Sequence, residues 1–262
     1  MEKKILYLLT CVGLCWSSCT NEVDEFIGNV EPSTRSVSTA LNANLASLFT
    51  GGAPTLTSAE IKEVNDGYAK MTSINCYRNI DEAVRNKTSY AGTIFLDDTY
   101  ASAYFRKGSL AFPPYGILAS SMEHEFIHMY QRDVQGKKVD TDKEKRDTGM
   151  MEFELAFYQG IIRYIHAGYS WTFKGEDGDP SYQSLWTSGL TDPSLIPQYE
   201  REFQTYVASI CANGKPTSID INEFVKWSNI FGEYSRGYSG KGYKFGNYDY
   251  GTSCINSLLK LY

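Results

Sequence analysis

Histidine is scarce in this sequence, with three in 262 residues, so imidazole chemistry can only be built from His124, His128 and His166. No C-x-x-C pair occurs, which leaves no cysteine cluster of the kind that holds structural zinc. Lys and Arg never run beyond two in a row, and the formal net charge is −6 with a pI near 5.2. Nucleic acid and anionic membrane surfaces are therefore poor partners for it. No repeat of fixed period appears, which argues against a solenoid or a collagen-like chain. The leading apolar run, Ile5 to Trp16, has twelve residues where a spanning helix needs about 20. What the chain does have is aromatic mass, 20 Tyr and 13 Phe in a 42% hydrophobic composition, enough for one sizeable core.

The first residues read as an address. Lys3-Lys4, the apolar run and the small pair Ser17-Ser18 ahead of Cys19 make an export signal over residues 1–18. The small pair before a cysteine resembles the lipobox of bacterial lipoproteins, although Trp16 stands where an aliphatic residue is usual. That resemblance implies lipidation at Cys19, export to the cell envelope and anchoring to the outer membrane; a plain secretory signal is the alternative. Loss of residues 1–18 takes the charge from −6 to −7 and removes Cys11 and Cys15. Cys76, Cys211 and Cys254 then remain besides Cys19, and the sequence does not choose a pairing among them.

Residues 19–56 are rich in Ser, Thr and Asn and stop at Gly51-Gly52-Ala53-Pro54, which reads as a lipid-anchored flexible tether. Thr57 with Glu60 forms a capping box that opens a helix over 58–71 and the folded domain, 57–262. Gly92 to Asp97 and Ser109 to Phe112 read as strands, and Ile117 to Val134 as a helix. After a charged loop over 135–147, Thr148 can cap a long helix ending near His166. Further helices are expected over 195–212 and, capped by Asp220, over 221–234. The expected fold class is α+β, helix-dominated, with one small sheet.

Two of the three histidines fall in His124-Glu125-Phe126-Ile127-His128, an H-E-x-x-H pattern on a predicted helix. Composition alone produces that pattern in roughly two random chains of this length in a thousand. Residues four apart lie about 40° apart around a helix, so both imidazoles can face one ion, while Glu125 sits about 100° away. A carboxylate so placed stands beside the ion and can serve as base for a water whose pKa the metal lowers.

Catalytic zinc normally has three protein ligands plus water. The chain after His128 carries no nearby histidine, and His166, at the far end of the next helix, suits a structural or capping role better. A glutamate on that helix is the remaining donor. At 100° per residue Met151, Leu155, Tyr158, Ile161, Ile162 and Ile165 share a face that includes Glu154, whereas Glu152 groups with Gln159 and Arg163. A carboxylate on an apolar face is costly unless paired or metal-bound. Glu154 is thus the expected third ligand and Glu152 the second choice; a buried Glu154 bonded to other protein groups is the structural alternative.

With His124, Glu125, His128 and the Glu152/Glu154 region in place, the chain resembles the zincin metallopeptidases with a downstream glutamate ligand, the gluzincin-like class. The resemblance covers residues 92–168. It implies Zn²⁺ as cofactor, His124, His128 and Glu154 as ligands, Glu125 as general base, a peptide or protein substrate, and Gly92 to Asp97 as the edge strand along which a peptide pairs. A second class of function is a non-catalytic accessory lipoprotein on the same scaffold, binding glycan or peptide through Trp171, Trp186, Tyr238 and Tyr243. Tyr234, Arg236, Tyr238 and Tyr243 are available to stabilise an oxyanion, but nothing in the sequence assigns one of them.

Overall fold

The computed structural model describes residues 40–100, 102–137, 145–166, 190–212, 214–235, 239–240 and 251–262. The export signal, Cys19, Trp171, Trp186, Arg236, Tyr238 and Tyr243 lie outside the described residues.

The fold is α+β and helix-dominated, as the sequence leads one to expect. It opens earlier than expected, however. Helix α1 (Ala43–Leu48) falls inside the stretch read as tether, and Leu45, Leu48 and Phe49 are buried in the core. Three large apolar side chains in five residues outweigh the polar composition around them. Asn42 caps α1 by accepting from the Asn44 N–H at 2.9 Å.

Helix α2 (Ser58–Ser73) starts at the expected capping box: the Thr57 N–H donates to Glu60 and the Glu60 N–H to the Thr57 hydroxyl. Helix α3 (Asn75–Lys87), not foreseen, follows after one extended residue and buries Tyr77, Ile80 and Val84. The three-stranded sheet has β1 (Ile94–Leu96) parallel to a central β3 (Ser109–Phe112), which pairs antiparallel with β2 (Tyr104–Arg106). Strand β2 was also not foreseen. It joins β3 through Lys107 (φ 51°) and Gly108 (φ 79°), a two-residue hairpin loop with both residues left-handed.

Helix α4 (Ala119–Met129) packs Met122 and Phe126 toward α2, with the Phe126 and Tyr68 rings 6.1 Å apart. The chain continues as a π-helical turn over Tyr130–Val134, closed by the Gln135 N–H donating to the Tyr130 carbonyl at 3.1 Å. Helix α5 (Lys145–His166) begins before Thr148, which lies within its first turn. It runs through the centre of the aromatic core. Phe153 and Phe157 meet Phe203 of α6 (Ile196–Ile210) and Phe224 and Phe231 of α7 (Ile221–Tyr234), with centroids 5.1 to 6.3 Å apart. Such ring pairs add about 0.5–1.5 kcal/mol each beyond burial. A short hairpin, β4 (Cys211–Ala212) with β5 (Lys215–Pro216), and helix α8 (Gly251–Leu259) complete the described chain. Among the described residues no helix is long and apolar enough to cross a membrane. Cys76 is a buried free thiol, held up to about 12 by burial.

Candidate metal centre

The H-E-x-x-H pattern sits on α4 because its neighbours Met122, Phe126, Ile127 and Met129 are apolar at helical spacing and fully buried. This anchors one face of the helix and turns His124 and His128 to the other. Their rings lie edge to face with centroids 4.8 Å apart, and their Nε2 atoms are 3.2 Å apart.

Helix α5 brings a carboxylate to the same point, and it is Glu152. Its Oε1 is 3.2 Å from His128 Nε2 and its Oε2 is 3.6 Å from His124 Nε2. Donor atoms held by a tetrahedral ion at about 2.0–2.1 Å stand roughly 3.3 Å apart, so this triangle has the dimensions a zinc-sized ion requires. His124, His128 and Glu152 are thus a group that can hold a metal ion. Their side chains are 27%, 16% and 20% exposed, so one side of the triangle faces water, as a catalytic rather than a closed structural site needs.

Glu154 stands elsewhere. It lies on the apolar face, as its periodicity predicted, and is fully buried, but its Oε2 meets the Lys137 ammonium at 2.5 Å and the Gln131 carboxamide at 3.2 Å. The expectation that Glu154 is the third ligand is therefore corrected to Glu152. The physical reason is burial: Glu152 stands at the solvent edge of α5 beside the histidines, whereas the buried Glu154 carboxylate pairs with an ammonium that the sequence seemed to leave in a charged loop. His166 ends α5, exposed, its ring 6.1 Å from that of Tyr262, and is not part of the metal group.

Glu125 is buried beside the triangle, with Oε1 4.0 Å from His124 Nε2 and its carboxylate hydrogen-bonded by the Phe105 backbone N–H of β2. Burial pushes its pKa up to about 8; the charge of His128 opposes this, Glu152 adds to it, and the Phe105 N–H favours the ionised form. Burial and the neighbouring His128 push His124 down to about 4, which keeps it a neutral imidazole. Burial pulls His128 down as well, but Glu152, Glu125 and Gln131 together hold it up to about 9. Two imidazole nitrogens and a carboxylate this close demand a positive charge between them; a proton on His128 supplies it when no metal does. On the far side of α4, burial raises Glu123 to about 7 against the pull of Arg163, Tyr77 and Gln159.

The strand beside the base differs from the one the resemblance implied. Strand β1 is one edge of the sheet, and the chain before and at its start is bridged to residues 50–52, the Thr50 N–H donating to the Tyr90 carbonyl, the Gly51 N–H to that of Gly92 and the Ile94 N–H to that of Gly52. At the other edge of the sheet lies β2, whose Phe105 reaches Glu125. Tyr234, considered for oxyanion stabilisation, packs on Tyr199 with centroids 6.0 Å apart.

No protein-family model matches this sequence, and no curated protein or solved structure matches it either.

Proposed function

We propose that this protein is a zinc-dependent hydrolase, a metallopeptidase that cleaves peptide bonds, exported to the cell envelope and lipid-anchored at Cys19. The observation that carries the reading is the triangle of His124, His128 and Glu152 with the buried Glu125 carboxylate 4.0 Å from its corner. Zinc, when bound, supplies a Lewis acid that brings the pKa of a coordinated water to about 7. Glu125, buried beside the triangle, would accept a proton from an attacking water and pass it to the leaving amine. The Phe105 N–H of β2 helps to orient the carboxylate.

Two measurements test this. Elemental analysis of purified protein should return about one zinc per chain, strongly reduced in His128→Ala; absence of metal from the wild type ends the proposal. Glu125→Gln should retain zinc and lose about 10²–10⁴-fold in chelator-sensitive cleavage of a peptide library. Undiminished cleavage by that variant removes Glu125 as the base.

A further inference from the structure

Behind His128 lies a second, fully buried polar assembly that metal binding itself does not use. Gly136, at φ 73°, lets the chain turn back after the π-helical turn, so that the Lys137 N–H donates to the Gln131 carbonyl at 3.0 Å while the Lys137 ammonium donates to Glu154. Gln131 and Glu154 have no solvent exposure and Lys137 has 8%. The Gln131 carboxamide bridges this pair to the metal group. Its nitrogen is 3.2 Å from Glu154 Oε2 and 3.0 Å from the Met151 carbonyl oxygen, and its oxygen is 3.0 Å from His128 Nδ1.

The partners decide which way the carboxamide points. The Met151 carbonyl can only accept, and a carboxylate that receives an ammonium proton can only accept, so the amide NH₂ must face them. The oxygen is then what Gln131 offers to His128. Nδ1 must carry the hydrogen, and Nε2, the atom on the triangle, is left with its lone pair for an ion.

We propose that Lys137 and Glu154 are positioning residues: acting through Gln131, they hold His128 in the Nδ1–H tautomer with Nε2 aimed at the metal. The inference rests on the metal reading and deepens it. Glu154 Oε2 accepts from both the Lys137 ammonium and the Gln131 carboxamide, so the pair fixes an acceptor behind the amide NH₂. Without the pair the carboxamide nitrogen keeps the Met151 carbonyl but loses its second acceptor, and its hold on His128 loosens. The role belongs to the protein's own side chains, so it is visible in metal affinity and ring chemistry as well as in turnover.

The test combines zinc competition against a chromogenic chelator with nitrogen-15 spectra of histidine-labelled, full-length protein. In zinc-loaded wild type, His128 should show an exchange-protected Nδ1–H and a metal-bound Nε2. Gln131→Leu should bind zinc about 10–100-fold more weakly. Lys137→Met combined with Glu154→Gln, which removes the buried charges together, should lose about three- to tenfold and show a mixture of tautomers. Since a variant can fail to fold, the spectrum of zinc-loaded wild type decides independently: zinc on Nδ1, or a hydrogen on Nε2, overturns the proposal. Equal affinity in wild type and a folded Gln131→Leu overturns the positioning role alone, whereas a wild type that takes up no zinc overturns the metal reading beneath it.

Discussion

Glu152 and Glu154 share one helix, two residues apart; the first has a side chain 20% exposed and 3.2 Å from His128, and the second is fully buried 2.5 Å from Lys137. The edge of α5 offers a carboxylate to an exchangeable cation, and the face of α5 locks one onto a fixed cation of the chain. Identical side chains thus separate into binding and scaffolding by access to water alone. Replacing each by alanine should break the comparison most clearly. Glu154→Ala leaves the Lys137 ammonium buried without this carboxylate, a loss of about 3–5 kcal/mol that thermal or urea unfolding will register. Glu152→Ala should cost the metal-free protein less, the loss being that of the carboxylate that favours a proton on His128. Its zinc affinity should fall by more than the 10–100-fold typical of an outer-shell partner. If Glu154→Ala proves as stable as wild type, the Lys137 pair is not what holds that region together.

How legible this was in the sequence depends on which side of the helix is considered. The H-E-x-x-H helix, the strand at Ser109 to Phe112, the Thr57 capping box and the helix capped by Asp220 were all readable, because each is a local pattern with a local cause. Periodicity also placed Glu154 inward correctly. It could not say what would meet it there, since Lys137 reaches Glu154 only through a π-helical turn and a left-handed glycine, and neither leaves a periodic trace. Assigning the metal to the buried carboxylate took the strongest demand for a partner as a sign of the ligand, whereas the carboxylate beside the two histidines is Glu152. Strand β2 was missed because three residues are too few to show alternation, although Lys107-Gly108 is a turn signal of the kind that closes hairpins. Gln131, three residues after His128, was in plain view, but its meaning depends on Glu154, 23 residues further on.

The exposed side of the comparison is also where protons and metal compete, and it can be sharpened by pH. In the metal-free protein Glu123, Glu125 and His128 have pKa values raised to about 7, 8 and 9. A raised folded-state pKa contributes stability that is complete below the unfolded value and is lost as pH climbs through the folded one. His124, lowered to about 4, acts in the opposite sense but only between about pH 4 and 6.5. From pH 6.5 to 9 the three raised groups dominate, and the metal-free protein should lose on the order of 5 kcal/mol. Zinc replaces the proton on His128, so its binding strengthens over the same range. Calorimetric unfolding at several pH values should show the gap between the zinc-loaded and metal-free midpoints widening with pH. A gap that narrows would mean that His128 does not carry the exchanged proton.

The smallest effect separates the route to the buried side from the rest of the fold. Gly136 and Gly214 both have left-handed backbones, φ 73° and 75°, and a Cβ added to either would meet nothing within 4 Å. Alanine at either position should therefore cost only the conformational penalty, about 1–2 kcal/mol, lowering the melting midpoint by a few degrees. The two differ in what the turn carries. Gly214 closes the short hairpin between β4 and β5, whereas Gly136 brings Lys137 back onto Gln131 and Glu154. Equal losses of stability should consequently go with unequal changes in zinc affinity, a measurable weakening for Gly136→Ala and none for Gly214→Ala. Matched affinities would show that the Lys137 bridge forms whatever the path of the backbone, and that the side chains alone hold His128 in place.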